Sequence, residues 1–165
     1  MAISLESLTR SFRARQLGID NTPPESALVL FPAFKEKVLE PLCEKFGTLA
    51  ITSGYRCHAL NTAVGGSATS EHVWSEEGIA ADFTTPQHPL EEAYQWIAAS
   101  NLPFDQCILE HEKGTDPPQY RCIHISYRPH DPRQMAGRGG THNSTRYAWD
   151  RVGPLDELDR MKEAN

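Results

Sequence analysis

The sequence contains no basic run of the kind that binds nucleic acid. Its 165 residues carry a formal net charge of -6 at pH 7, with a pI near 5.6. Phosphate backbones are bound by clustered lysine and arginine that release counterions, so we expect no nucleic-acid partner. The sequence also lacks the roughly 20 consecutive apolar residues that a membrane-spanning helix needs, and we expect no membrane partner.

Cysteine is scarce, and none of its copies forms a CxxC pair. This spacing is typical neither of a zinc ribbon nor of a disulfide-dense scaffold, so reduced and mostly buried thiols are predicted. Cys107 and Cys122 fall on strands that could be neighbours, and a bridge between them stays open at this point. The cysteines are Cys43, Cys57, Cys107 and Cys122.

A chain of this length with 39% apolar residues supports one compact domain with a substantial core. We predict a single domain over 1–165, with its core over about 19–127 and a polar C-terminal extension over 128–165. We also expect the protein to be a monomer. The predicted fold is α+β, with a small central antiparallel sheet and helices on one side of it.

Apolar spacing places the individual elements. Phe34, Val38 and Leu42 recur at helical spacing, and the prolines at 32 and 41 predict that this helix begins near residue 32 or bends. The glycine-rich stretch at 137–140 is predicted to be irregular. The predicted helices cover about 32–47, 59–64, 89–100 and 154–163, with a short helix or arm in the first twenty residues. The predicted strands cover 49–53, 78–83, 104–110 and 120–127, the last two as an antiparallel hairpin.

Two histidines and one aspartate lie at the edges of these predicted strands. His72 precedes the second strand, Asp82 lies near its end, and His124 is in the middle of the last strand. Two imidazoles and one carboxylate form a three-ligand set suited to one catalytic zinc ion, with a fourth position open for water or substrate. The sequence therefore predicts a zinc hydrolase.

Six ordered strings between about residues 19 and 127 resemble one known family, the zinc D-alanyl-D-alanine carboxypeptidases. That family includes phage peptidoglycan endopeptidases and vancomycin-resistance dipeptidases, and it shares its fold with Hedgehog signalling domains. Six matches in order make the resemblance far more specific than any single motif. The strings are Ser53-Gly54-Tyr55-Arg56, Leu60-Asn61, Ala63-Val64-Gly65-Gly66, Ser70-x-His72, Gly78-x-Ala80-x-Asp82 and Ile123-His124-Ile125-Ser126.

The resemblance implies roles for residues of this chain. It makes His72, Asp82 and His124 the zinc ligands. Arg56 is implied to bind or polarise the substrate near the scissile peptide bond, and Ser70 to support the first ligand at the substrate site. Zinc activates water and polarises a carbonyl, while a guanidinium presents a planar fork to a carboxylate or oxyanion, so the chemistry agrees with these roles.

The chain departs from the family pattern at two places. The interval from His72 to Asp82 is longer than is common in the family, which predicts a lengthened loop over 74–77. Many members also carry a glutamate three residues before the last histidine, where this chain has Arg121, which cannot accept a proton. The general base must therefore come from elsewhere.

Glu110 is the best candidate for that base. A hairpin register that pairs residue 108 with residue 124 puts Glu110 on the face of His124, diagonally about 7 to 8 Å away. Gln106 would share this face and is a candidate for substrate binding. Glu112 and Glu71 remain alternative bases.

The expected function is zinc-dependent hydrolysis of peptidoglycan stem peptides next to D-alanine, by a carboxypeptidase or an endopeptidase. The N-terminus lacks the features of a secretory signal peptide. We therefore expect synthesis in the cytoplasm and action on the cell wall after release, as for a phage endolysin, or within a virion. The rival hypotheses are a catalytically silent zinc domain and a phage structural component that anchors to the cell wall.

Overall fold

A six-stranded mixed sheet organises the protein. The computed structural model describes residues 3–112, 114–140 and 147–155. The strands run in the order β1-β2-β4-β3-β5-β6, and every neighbouring pair is antiparallel except β3 and β5, which are parallel. The strands are β1 (Ala50–Ser53), β2 (Ile79–Thr84), β3 (Gln106–His111), β4 (Tyr120–Tyr127), β5 (Met135–Gly140) and β6 (Ala148–Arg151).

The helices confirm the α+β prediction. No helix among the described residues is both long and apolar enough to cross a membrane. A short 3-10 helix covers Glu25–Leu28, and a π-helical segment over Lys35–Leu39 joins α3 to α4. The α-helices are α1 (Leu5–Thr9), α2 (Phe12–Leu17), α3 (Phe31–Phe34), α4 (Glu40–Phe46), α5 (His58–Ala63) and α6 (Leu90–Ala99).

The long helix bends where its prolines predict. Pro32 lies in the first turn, where a missing N–H costs nothing, and the π segment ends two residues before Pro41. In this segment the backbone N–H of Glu40 donates to the carbonyl of Lys35, one residue further back than in an α-helix. Val38 and Leu39 are consequently both buried on the side of the core.

The core lies on one face of the sheet. Alternate residues of β2 and β4, such as Ile79, Phe83, Ile123 and Ile125, join the buried side chains of the long helix and α6 in a single hydrophobic cluster. The remaining residues of these strands point to the opposite face because side chains alternate along a strand. We call this opposite face the site face, and it carries Asp82, His124 and Glu110.

The prediction of an irregular stretch at 137–140 is wrong, because these residues belong to β5. Their glycines leave the site face of the strand bare, so they carry no alternating apolar signal, yet their backbone pairs with β3 along its whole length. The sheet therefore extends beyond residue 127 and contains a parallel pair. The predicted helix over 154–163 lies, apart from its first two residues, outside the described residues, and the single domain stays a prediction.

A disulfide between Cys107 and Cys122 is excluded by the strand register. Cys107 pairs with Ile125 and faces the core, whereas Cys122 pairs with Glu110 and lies on the site face. Although β3 and β4 are neighbours, the two thiols point to opposite sides of the sheet. All four cysteines are free.

Candidate metal centre

Three side chains converge on the site face. Asp82 and His124 lie directly opposite each other on β2 and β4, which places Oδ1 of Asp82 2.8 Å from Nδ1 of His124. His72 reaches the same point from the loop before β2, with its Nε2 3.1 Å from the Asp82 oxygen and 3.2 Å from Nδ1 of His124. His72 and Asp82 are buried.

The orientation of His72 is set by the segment after β1. Its Nδ1 lies 2.7 Å from the carbonyl oxygen of Gly54, and its own carbonyl accepts from the backbone N–H of Arg56 at 2.8 Å. A carbonyl only accepts, so Nδ1 carries the proton and Nε2 is the nitrogen that faces Asp82 and His124. A backbone carbonyl behind the ring is the usual support of a metal-bound histidine.

Gly54 can occupy its position because it has no side chain. A Cβ there would lie 2.0 Å from the carbonyl oxygen of Leu8 in α1, which accepts the backbone N–H of Tyr55. The N-terminal helix thus packs directly against the segment that holds His72, and a glycine is required for this close approach.

The lengthened loop before Asp82 leaves His72 in place. Trp74 anchors this loop in the core, where it is 4% exposed and its Nε1 donates to the carbonyl of Ala80 at 3.0 Å. Its ring stacks with Phe31 and meets Tyr55 edge-on. The additional residues therefore form a longer loop that Trp74 anchors in the core.

The electrostatics of the cluster favour a bound cation. Burial by itself raises the pKa of Asp82, but the two histidines outweigh this effect and hold that pKa far below its usual value. Burial lowers the pKa of His124, but its hydrogen bond to Asp82 and the charge of that carboxylate raise the pKa overall. The site therefore keeps a carboxylate ionised in a buried place and attracts positive charge to it.

The donor atoms also have the spacing that a metal ion needs. Two ligands bound tetrahedrally to a zinc-sized ion at 2.0–2.2 Å are about 3.4 Å apart. The separations here are 2.8, 3.1 and 3.2 Å, so a small outward movement admits an ion. His72, Asp82 and His124 could thus hold a metal while leaving its fourth position free.

Arg56 lies beside the cluster on the side of β1. Its Nη2 is 3.6 Å from Oδ2 of Asp82. The guanidinium is held by the Oγ of Ser53 at 3.2 Å and by Oδ1 of Asn61 at 3.4 Å. Asn61 is itself fixed, because its amide donates to the carbonyl of Ser67 at 2.8 Å. The guanidinium therefore has a set position beside the candidate metal ligands, and its side chain keeps 18% of its surface exposed.

Glu110 lies on the other side of the cluster, on β3. Ile108 pairs with His124, as predicted, so Glu110 is a diagonal neighbour of His124 on the site face. Burial raises the pKa of Glu110, and the Asp82 carboxylate raises it further, while His124 acts in the opposite direction. The thiol of Cys122, directly across the strand pair, donates to Oε2 of Glu110 at 3.6 Å. A partly buried carboxylate beside a candidate metal centre is placed to move protons.

A comparison with family models identifies the chain. Residues 1–116 match the model described as Peptidase M15. The chain belongs to peptidase family M15. This is the family of zinc D-Ala-D-Ala carboxypeptidases, so the predicted resemblance is confirmed. No curated protein matches the chain.

The alternative bases in this M15 peptidase are engaged elsewhere. Oε1 of Glu71 lies 2.6 Å from Nε of Arg128 and 3.5 Å from Nη2 of Arg133. Glu112 lies 3.9 Å from Nε of Arg121, and both side chains are about half exposed. Neither glutamate shares the diagonal position of Glu110.

Glu71 belongs to an ion-pair cluster at the start of β3, which we call the Asp105 cluster. The Asp105 side chain is fully buried and is held by Arg133 through its backbone N–H at 2.8 Å and its guanidinium, and by Arg128 at 3.6 Å. These contacts lower the pKa of Asp105 against the effect of burial. The cluster ties the loop that carries His72 to the segment that leads into β5.

The other predicted site residues have simpler surroundings. The Oγ of Ser70 accepts the backbone N–H of His72 at 3.3 Å, a contact that suits the predicted support of His72. Gln106 lies at the start of β3 on the site face, and its backbone N–H donates to Ser126 at 3.1 Å. Their contact with substrate stays a prediction.

Ser53, Asn61 and the Gly54 carbonyl hold candidate site residues, and the sequence reasoning did not assign them. All three belong to strings that carry the family resemblance, and this was the available signal. Their roles depend on contacts between separate segments, because Ser53 and Asn61 both reach Arg56 while the Gly54 carbonyl reaches His72.

Proposed function

We propose that this M15 peptidase binds one zinc ion at His72, Asp82 and His124 and hydrolyses a peptide bond next to D-alanine in peptidoglycan stem peptides. The observation that carries the proposal is the convergence of the three donor atoms between Arg56 on one side and Glu110 on the other. Ligands, base and guanidinium then lie in one row across the sheet.

Each flanking residue has a separate task. Zinc, when bound, supplies Lewis acidity that activates water and polarises the scissile carbonyl. Glu110 removes a proton from the attacking water as its oxygen bonds to the carbonyl carbon. When the C–N bond breaks, Glu110 delivers that proton to the leaving nitrogen, so that one carboxyl and one amine are formed. Arg56 stabilises the negative charge that develops on the carbonyl oxygen or holds a substrate carboxylate.

The substrate class follows from the family and from Arg56. A guanidinium beside the ligands suits a peptide whose carboxylate lies close to the scissile bond, as in a stem peptide ending in D-alanine. We propose that the enzyme reaches this substrate as an endolysin or a virion-borne peptidase. Release of a terminal D-alanine and cleavage of a cross-link use the same chemistry, and the products distinguish them.

The test is hydrolysis by protein reconstituted with one equivalent of zinc. The substrates are a stem pentapeptide ending in D-Ala-D-Ala and a cross-linked muropeptide, with products identified by mass spectrometry. We expect cleavage of at least one substrate, loss of cleavage on chelation and recovery with zinc. His124→Ala should be inactive, while His130→Ala, which changes an exposed histidine, should retain full activity.

The opposite results would refute the proposal. Wild-type protein that binds zinc but cleaves neither peptide would support a silent zinc domain. Retention on sacculi without cleavage, unchanged by chelator, would support a wall anchor. Full activity of His124→Ala would show that the cluster is not the catalytic centre.

A further inference from the structure

Two aromatic side chains, Tyr147 and Trp149, lie at the β6 end of the sheet. Their ring centroids are 5.6 Å apart and the rings are tilted by 59°. Both residues are partly exposed, and they are separated by one residue, so both point to the same side of the chain. They lie outside the region that matches the family model, which ends at residue 116.

The rings lie directly on the backbone of β5. A Cβ at Gly139 would be 2.2 Å from Cδ1 of Tyr147, and a Cβ at Gly137 would be 2.6 Å from Cε3 of Trp149. Only glycine leaves enough room for this contact. Because Gly137 and Gly139 have no side chains, both rings pack against the backbone of β5 on the site face.

The strand register connects this aromatic pair to the metal ligands. Asp82 pairs with His124, His124 with Ile108, Ile108 with Gly137, and Gly137 with Trp149. Neighbouring strands are about 4.8 Å apart, so the ring over Gly137 lies about 10 Å from the backbone of His124. This distance corresponds to about three residues of an extended peptide.

Tyr147 is closer to the proposed base. Gly139, on which its ring lies, pairs with Glu110 across one strand spacing. Burial raises the pKa of the Tyr147 phenol, and the carboxylates of Glu110 and Asp82 raise it further, which agrees with this proximity. Ile108 fills the position between His124 and Gly137 and is buried, with 4% of its surface exposed. The accessible apolar surface on this side of the site is therefore that of the two partly exposed rings.

We propose that Tyr147 and Trp149 form the subsite for the acyl side of the peptide, the part that precedes the scissile bond. This inference rests on the proposed function. We call these two residues the aromatic shelf. Arg56 lies at the opposite end of the row, beside Asp82, where it suits the carboxylate of the leaving residue. The peptide then crosses the strands, with its carboxyl end at β1 and its preceding residues over β3 and β5.

The shelf suits a residue with a long aliphatic side chain. Aromatic rings bind methylene groups through apolar burial, and each buried CH₂ changes the affinity about fourfold. The diamino acid of a stem peptide carries several methylenes and precedes the terminal D-alanines by one position. Its side chain is expected to lie against Trp149, with the intervening D-alanine between the aromatic shelf and the metal site.

The experiment compares two matched pairs of peptides. In the first pair the diamino acid is replaced by alanine, which removes its long side chain without changing the length of the peptide. In the second pair the leaving D-alanine is replaced by glycine. Wild-type enzyme should prefer the diamino peptide by about 15- to 60-fold in kcat/KM, from two or three buried methylenes at about fourfold each. Trp149→Ala should abolish this preference mainly through KM, and it should leave the discrimination between D-alanine and glycine unchanged.

Further variants distinguish the subsite from a structural role. Trp149→Phe retains a ring over Gly137 and should show an intermediate preference, so the test holds if Trp149→Ala does not fold. Tyr147→Phe, which keeps the ring, should behave like the wild type. Val152→Ala changes an exposed side chain of the same segment and serves as the control. Zinc content should be equal in all these variants.

Distinct outcomes overturn the inference. Trp149→Ala that keeps the wild-type preference would show that the shelf does not bind the acyl side. A changed discrimination at the leaving residue would show that the peptide runs in the opposite direction. If the wild-type enzyme cleaves no peptide at all, the proposed function fails and the inference fails with it. Cleavage without any effect of Trp149 would refute the shelf alone.

Discussion

Replacing Glu110 with glutamine should change activity and stability in opposite directions. Burial and the neighbouring Asp82 carboxylate both raise the pKa of Glu110 above the ordinary value for glutamate. A raised folded-state pKa means that the folded protein binds the proton more tightly than the unfolded chain does. Stability is therefore lost as the pH rises from about 4.5 through the raised pKa. Glutamine is uncharged and so avoids this loss of stability, and its side-chain oxygen can still accept the hydrogen bond from the Cys122 thiol.

The loss of activity should be large. A positioned general base contributes about 10²- to 10⁴-fold, which corresponds to about 2.7 to 5.4 kcal/mol of the activation barrier. We expect kcat of Glu110→Gln to fall by that factor while zinc binding is retained, because Glu110 is one strand away from the ligands. The assay is peptide hydrolysis, with zinc content measured on the same samples.

The stability measurement uses zinc-free protein, because a bound cation would offset the charge of the carboxylate. Urea unfolding at pH 7 should show Glu110→Gln to be more stable than the wild type, and the difference should vanish below about pH 4.5. The matched control is Glu112→Gln, which removes a half-exposed carboxylate and should alter neither quantity much. Unchanged kcat in Glu110→Gln would refute the assignment of the base, and lower stability at pH 7 would refute the electrostatic reasoning.

Three further predictions concern the supports of the site. Asp105→Asn should reduce the free energy of unfolding by about 3 kcal/mol, at the low end for a broken buried ion pair because its arginine partners are partly exposed. The pKa of Asp105 is lowered in the folded protein, so its carboxylate stabilises the fold only while it is ionised. The difference in unfolding free energy between wild type and variant, measured in urea, should therefore shrink as the pH falls below the usual pKa of aspartate. Zinc at 100 times its Kd should stabilise the protein by about 2.7 kcal/mol, or raise Tm by about 5 to 11 °C, and calorimetry should show no such shift for His124→Ala. Gly66→Ala should raise KM about 10-fold with zinc content unchanged. The new Cβ would lie 2.1 Å from Oδ1 of Asn61 and displace the amide that holds Arg56. An unchanged KM would show that Asn61 does not position the guanidinium.

The sequence was sufficient to predict that His72, Asp82 and His124 lie together, because local signals and the family resemblance agree there. Strand β4 was predicted at its observed bounds, and the register that pairs Ile108 with His124 is the observed one. Alternation along a strand then decides which side chains share a face. His72 comes from a loop, and periodicity gives no position for a loop residue. The family string Ser70-x-His72 was the signal that identified it.

The C-terminal strands could not be predicted from the same kind of pattern. Strand β5 reads Met-Ala-Gly-Arg-Gly-Gly, and glycine is depleted in strands because it has no side chain to pack. Here the packing comes from the rings of Tyr147 and Trp149 on the neighbouring chain segment, so the signal is divided between two stretches of sequence. Small residues in one segment that alternate in step with aromatic residues in another are the pattern that could have revealed this pairing.

The position of the base follows from the geometry of β4. Glu110 pairs with Cys122 while His111 pairs with Tyr120, so Arg121 is the extra residue of a bulge and has no partner on β3. Its side chain is exposed and lies near Glu112 at the surface, away from the ligands. An acidic residue at position 121 would therefore face solvent in this backbone. The carboxylate of Glu110, two positions along β3 from the partner of His124, reaches the site face without any change of register. We therefore expect the double variant Arg121→Glu, Glu110→Gln to have the same low kcat as Glu110→Gln alone. Recovery of hydrolysis in the double variant would show that the bulge can turn residue 121 towards the metal ligands.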